Sequence, residues 1–229
     1  MLEALRAEVL EANLEVVRRG LVMYTFGNAS GIDRDQGLLV IKPSGVPYDK
    51  MMPAHMVITD LAGRVVEGSL RPSSDLATHV AIYRAFPPVG GIVHTHSRHA
   101  TAWAQAAREI PCFGTTHADY FHGAVPVTRQ LTAAEIEADY ESNTGVAIVE
   151  LIGSREPLAT PGVLVAGHAP FCWGRTAAEA AHNAVVLEQL AAMALETLAI
   201  NPAAQPISVA QLDKHYFRKH GPKATYGQS

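Results

Sequence analysis

The sequence predicts an α/β fold in which one mixed or antiparallel sheet carries helices on its faces. Three observations point there. Short apolar runs of strand character occur in consecutive pairs, helical patterns alternate loosely with them, and no repeat, low-complexity tract or linker divides the chain. Consecutive strands favour hairpins over the crossover units of a doubly wound sheet. With 229 residues, 48% hydrophobic and 17% charged, the chain holds enough apolar material for a real core. One domain over residues 1–229 is the expectation.

Residues 2 to about 19 place Leu2, Leu5, Val9, Ala12 and Val16 at three- and four-residue steps. Arg18, Arg19 and Gly20 then make a helix stop. "LLVIKPSG", "MVITD" and "RVVEG" read as strands, with "LAG" turning between the last two. "SSDLATHVAIYRAF" reads as a helix capped by Ser73, Ser74 or Asp75. It carries Leu76, His79, Val80 and Tyr83 on one face and is ended by Pro87 and Pro88. "GGIVHTHS" is the next strand and "ATAWAQAA" the next helix. Thr132-x-x-Glu135 and Thr176-x-x-Glu179 open two more helices as capping boxes, the second running to about Ala199. Between them, "VAIVELI" and "GVLVAGHAPF" read as further apolar strands.

A net charge of -4 makes no global electrostatic case for nucleic acid or an anionic membrane. Cys112 and Cys172 sit in apolar surroundings and are too few for a disulfide framework, so reduced thiols and a cytoplasmic location are expected. The opening "MLEALRAEVL" mixes acid and base without an apolar signal core.

The stretch "GGIVHTHSRHA" raises a metal question. On a strand, His94 and His96 would point the same way, about 7 Å apart. Two imidazoles so placed can share a tetrahedral cation if other ligands join them. His168 ends a comparable apolar run, and Asp75 opens the preceding helix. Histidines with a carboxylate suit zinc. The plainer alternative is a set of ordinary polar residues at strand ends. His99 falls beyond the strand, and His79 reads as a core histidine rather than a ligand.

Three other segments share an anion-binding chemistry. "TFGNAS" supplies Gly27, Asn28 and Ser30, "IKPSG" supplies Lys42, Ser44 and Gly45, and "RPSSD" supplies Ser73 and Ser74. Small residues let backbone N–H groups approach an anion, hydroxyls add donors and a helix start favours negative charge. Taken singly, each reads first as an ordinary turn; it is the three together that point to an anion. No Walker or dinucleotide glycine motif is present. The basic, aromatic tail "LDKHYFRKHGPKATYGQS" carries Tyr216 and Phe217, which suit a docked segment better than a solvated end.

Together these segments resemble the class II aldolase family of zinc-dependent sugar-phosphate enzymes. The resemblance runs through "EANL", "GNAS", "VIKPSGV", "VVEG", "RPSSD", "GGIVHTHSRHAT", "GTTHADYF", "PGVLV", "HAPFCWG", "HNAVVLE" and "LDKHYFRKHGPKATYGQ", from Met1 to Gln228. The "HTHS" run is shared across the family, whereas "THADYF" and the tail are closer to its epimerase members.

The resemblance implies a single α/β domain with a central, mostly antiparallel sheet flanked by helices, assembled as a homotetramer with sites at subunit interfaces. It implies one Zn2+ per subunit on His94, His96 and His168, with Asp75 as a further ligand or near neighbour. It implies a pentose phosphate substrate bound by Gly27, Asn28, Lys42, Ser44, Gly45, Ser73 and Ser74. Asp119 and Tyr226 match the acid/base pair, and Thr115, Glu141, His215 and Arg218 match residues around the site. The implied activity is epimerisation at C4 of a ketopentose phosphate. Two alternatives stand beside it. A true aldolase of the family would carry Glu where this chain has Asp75, and a metal-dependent binding protein of this fold would show no turnover.

Overall fold

The structure, a computed structural model, describes residues 1–221 and 224–225. Helix α1 (Glu3–Arg18) is followed by four strands, β1 (Asn28–Asp33), β2 (Leu38–Ile41), β3 (Val57–Asp60) and β4 (Val65–Glu67). Helix α2 (Leu76–Ala85), strand β5 (Gly91–His94), helix α3 (Arg98–Gln105) and the short helix α4 (Thr115–Ala118) come next. Helix α5 (Ala133–Ile152), strands β6 (Gly162–Leu164) and β7 (Pro170–Gly174), helix α6 (Ala177–Ile200) and helix α7 (Val209–His220) complete the order.

The strands form one seven-stranded sheet in the order β4-β3-β2-β1-β5-β7-β6. Every neighbouring pair in it is antiparallel. Side chains alternate between the two faces, so each face has its own apolar layer. Val9 and Val16 of α1, Trp103 of α3 and Leu187 of α6 pack with Ala29, Val40 and Val93 on one side. Val80 and Tyr83 of α2 and Ile148 of α5 pack with Leu39, Ile92, Phe171 and Trp173 on the other. Each tryptophan spends its indole N–H on a backbone carbonyl, Trp103 on Ala191 at 3.0 Å and Trp173 on Pro157 at 2.8 Å. Helix α6 is long and apolar enough to cross a membrane by length and composition alone, yet it packs along the sheet beside α1.

Three readings of the sequence are corrected here. "VAIVELI" is not a strand but the second half of α5, with Thr144, Gly145, Ala147, Ile148 and Ile152 on its buried face. A short apolar run has no decisive period, and the three- and four-residue spacing of this longer face wins. "GVLVAGHAPF" is not one strand but the hairpin β6–β7, turned at Gly167 with φ of 73°. Strand β5 stops at His94, so His96 lies in the following loop rather than on the strand. The tail reading fares differently: α7 packs against α4 of its own chain, with Tyr216 buried.

Strand β1 runs through "NASGID", whose small residues have a purpose. Gly31, Gly91 and Gly174 stand opposite one another across β1, β5 and β7. A Cβ at Gly91 would lie 2.3 Å from the Ala177 nitrogen, and one at Gly174 would lie 2.7 Å from Glu179 Cβ. The start of α6 descends onto Gly91 and Gly174, while Leu5 and Val9 of α1 cover Gly31. Asn13 of α1 closes the same region, accepting from the Ala29 N–H at 2.9 Å. Gly91→Ala should therefore destabilise by more than about 4 kcal/mol or abolish folding, because backbone cannot yield as a flexible side chain can. Urea unfolding checks this, and native stability in the variant would show that the contact with α6 can widen freely.

Candidate active site

His94, His96 and His168 converge although only one of them lies on a strand. Each offers a ring nitrogen, and the three nitrogens lie within 4.8 Å of one another. His94 is held from two sides. Its Nδ1–H donates to the Pro170 carbonyl at 2.9 Å, and its ring stacks on Phe171 at 4.2 Å between centroids. That bond leaves a lone pair on Nε2, which faces His96 Nε2 at 3.1 Å. A tetrahedral cation bound at about 2.0–2.1 Å would hold two nitrogens about 3.3 Å apart. The donor set therefore fits a divalent metal. His168 brings a further observation, since its Nδ1 is buried with no partner among the described residues.

The electrostatics agree with that fit. Burial lowers the basicity of all three imidazoles, His168 down to about 4, so the rings are neutral near pH 7 and their lone pairs are available. Asp75 caps α2 with its oxygen Oδ2 4.0 Å from His94 Nε2 and 2.6 Å from the Asn28 amide nitrogen. Burial alone would raise this carboxyl; His94, His79 and the Asn28 hydrogen bond bring it below its ordinary value.

His96 is placed by a distant carboxylate. The loop that carries it runs straight into α3. Glu188, buried on α6, accepts from the N–H groups of His99 at 2.8 Å and Ala100 at 2.9 Å, which are orphan donors of that helix start. The His99 ring spends its Nδ1 on the same carboxylate at 2.7 Å. His99 thus serves the loop and not the triad.

The anion segments meet the triad in one cleft of about 370 Å³. Gly27, Asn28, Lys42, Ser44 and Gly45 line it, as do Ser73, Ser74, Asp75, Glu141 and the three histidines. Main-chain bonds clamp two of the segments side by side, from Ser44 N–H to the Arg71 carbonyl and from Ser73 N–H to the Lys42 carbonyl, each 2.9 Å. Gly27 has φ of 78°, and a Cβ there would sit 2.9 Å from the His94 carbonyl oxygen. Lys42 is only 2% exposed. Its ammonium donates to the Thr25 carbonyl at 3.0 Å and lies 4.7 Å over the Tyr48 ring. Burial pushes it down to about 8, with the Asp75 charge pulling the other way. A buried ammonium with so few partners keeps donor capacity for an anion.

Tyr140 is a lining residue that the sequence reading did not name. Its ring centroid is 5.8 Å from that of His168. Helix α5 breaks at Asp139 (φ -168°, ψ 96°), whose carboxylate accepts from the Ser142 N–H and hydroxyl. The break restarts the helix at Tyr140 and Glu141, facing the cleft. Asp139 followed three residues later by Ser142 was its only local signal.

The remaining predicted residues gather elsewhere. Thr115 opens α4 and Asp119 closes it. Asp119 accepts from Arg218 Nη2 at 3.0 and 3.1 Å and from its Nε at 3.3 Å, and pairs with His215 at 3.2 Å, both on α7. His220 adds a bond to the Asp119 carbonyl at 2.8 Å. None of these lines the cleft among the described residues. Tyr226 lies outside the described residues.

Comparisons with known proteins come to the same place. The family described as "Class II Aldolase and Adducin N-terminal domain" matches residues 7–195. The L-ribulose-5-phosphate 4-epimerase UlaF of Salmonella paratyphi C (strain RKS4594) is 55% identical over 227 residues, covering 99% of this chain and 100% of that protein. The protein of the same name from Salmonella choleraesuis (strain SC-B67) matches equally, at 55% over 227 residues. Among solved structures, an L-fuculose 1-phosphate aldolase superposes with a TM-score of 0.80 at 22% identity, covering 93% of this chain and 94% of that one. The L-fuculose 1-phosphate aldolase from Glaciozyma antarctica PI12 gives 0.75 at 18% identity, covering 93% and 80%. At those identities the two structures speak for the fold alone.

The buried lysine generates a prediction whose sign is fixed. Its ammonium is charged below about pH 8 and neutral above. Sulfate, whose own charge is constant across this range, should bind progressively more weakly as pH rises through about 8. Lys42→Met should bind it weakly at every pH. Calorimetric titration checks both, and a pH-independent affinity in the parent protein would separate Lys42 from the anion site.

Proposed function

The chain belongs to the class II aldolase and adducin N-terminal domain family, and from that premise we propose that it is a zinc-dependent epimerase interconverting L-ribulose 5-phosphate and D-xylulose 5-phosphate. Full-length identity to the curated epimerases supports the substrate pair. The observation that carries the chemistry is the single cleft lined by both the histidine triad and Lys42.

Carbon 4 of such a ketose bears no acidic proton, because the ketone is at C2. Inversion there requires the C3–C4 bond to break and re-form on the other face. Zinc on His94, His96 and His168, with Asp75 as a fourth donor or near neighbour, would supply Lewis-acid stabilisation of the negative charge that develops on the C2 and C3 oxygens. The chain's own residues do the rest. Lys42, Asn28, Ser44, Gly45, Ser73, Ser74 and the Gly27 backbone hold the phosphate, so the cleaved aldehyde fragment can turn without escaping. Asp119 and Tyr226 move the C4 hydroxyl proton, one on each side of that aldehyde. His215 and Arg218 fix the Asp119 carboxylate, while Thr115 and Glu141 complete the surroundings.

Asp119 and its partners stand apart from the cleft within one chain. The reading is therefore a homotetramer in which α4 and α7 of one subunit close the cleft of the next. The aromatic lip of the cleft supports this: Phe26 lines it at 54% exposure, and Tyr24 beside it is 92% exposed. The two buried free thiols suit a reducing cytoplasm, and arabinose breakdown is a route that would use this interconversion.

Purified protein given L-ribulose 5-phosphate should form D-xylulose 5-phosphate. Accumulation of free two- and three-carbon fragments instead would identify an aldolase. Chelation should abolish turnover and zinc should restore it at one ion per chain, whereas His96→Asn should not recover. Lys42→Met should raise KM about 10- to 150-fold, the loss of a charge-assisted hydrogen bond worth about 1.5–3 kcal/mol.

The shared site has its own test. Inactive His96→Asn chains co-refolded with inactive Tyr226→Phe chains should regain activity, because some interfaces then pair an intact triad with an intact tyrosine. Mixed tetramers that form but stay inactive would put Tyr226 in its own subunit's cleft.

A further inference from the structure

Helix α2 lies along β1 with matched spacing. Asp75 and His79 are four residues apart, about 6 Å along the helix. Asn28 and Ser30 are two apart, about 6.6 Å along the strand. Two rungs result. Asn28 donates to Asp75 at 2.6 Å, and Ser30 Oγ meets His79 Nδ1 at 2.6 Å. Tyr83, one more turn along α2, returns its hydroxyl to Ser30 Oγ at 2.8 Å.

His79 is fully buried, and its ring sits edge-on to Phe171, which itself stacks on His94. Its Nε2 has no partner among the described residues. On the neighbouring rung the Asn28 amide oxygen is also buried and without a partner among them. An orphaned buried polar group costs about 1–3 kcal/mol, so a purely structural core position would favour an apolar side chain. Here an orphaned ring nitrogen and an orphaned acceptor sit on adjacent rungs, and the acceptor belongs to the amide that holds Asp75.

The direction of the chain of hydroxyls follows from charge. Tyr83 donates to Ser30 and Ser30 donates to His79 Nδ1, leaving the proton on Nε2. The reverse order would leave a lone pair on Nε2 in the negative field of Asp75, which reaches this ring.

We propose that His79 is a positioning residue for the metal centre: its Nε2–H, fixed by Ser30 and Tyr83, holds the Asn28 amide oxygen through one buried water, and the amide nitrogen thereby orients the Asp75 carboxylate. This rests on the metal reading of His94, His96 and His168. Partners of this kind set ligand orientation, and their loss typically costs about 10- to 100-fold in metal affinity.

The experiment measures zinc affinity by chelator competition and the visible absorption of the cobalt-loaded protein in the parent, Ser30→Ala, His79→Leu and His79→Gln. Ser30→Ala and His79→Leu should bind zinc about 10- to 100-fold more weakly and shift the cobalt bands. His79→Gln keeps an N–H near the Nε2 position and should restore most of both. Where His79→Leu fails to fold, Ser30→Ala decides, since it removes one oxygen. Folded Ser30→Ala and His79→Leu proteins with parental affinity and spectrum would overturn the proposal while leaving the metal centre intact. A Gln variant as weak as the Leu variant would overturn the donor role. A parent protein that binds neither cation would sink the metal reading and this inference with it.

Discussion

The register between β1 and β5 is the constraint on which the site depends. It sets Asn28 opposite His94, and the next pairing sets His94 opposite Phe171. A slip of one residue would turn every one of these side chains to the other face. The same register aligns Gly31, Gly91 and Gly174, of which the last two admit α6, and α6 in turn delivers Glu188 to the start of α3. Chemistry at one end of the central strands and packing at the other are thus fixed by one set of backbone bonds.

The cleft is built from groups that suit each other poorly until something joins them. It gathers lone pairs on neutral imidazoles, an under-partnered buried ammonium and an ionised carboxylate within a small volume. Polar groups in such surroundings cost stability unless compensated. The apolar layers on both faces of the sheet supply the surplus.

Much of this was legible in the sequence, but not always for the right reason. His94 and His96 were paired by strand alternation, whereas the strand ends at His94 and a loop capped by Glu188 brings the two Nε2 atoms to 3.1 Å. The turn segments that line the cleft were legible from their small residues and their turn chemistry. Strand β1 was not, because "NASGID" trades apolar alternation for close approach. "VAIVELI" was misread, since a seven-residue apolar window does not separate strand from buried helix. Asp119 and Arg218 meet across 99 residues, and no local pattern announces such a pair; the resemblance named each residue but not their contact.

The two tryptophans are distributed in a way that makes the fold easy to watch. Trp103 is sealed in the layer beneath α1, α3 and α6, and Trp173 in the layer beneath α2 and α5. They are the only two in the chain, and both indole nitrogens are tied to backbone carbonyls in the dry interior. Intrinsic fluorescence therefore carries one reporter for each side of the sheet. Replacing either with phenylalanine would leave an optical probe of the opposite layer, so loosening of one layer ahead of the other becomes visible as two separate signals from a single unlabelled chain.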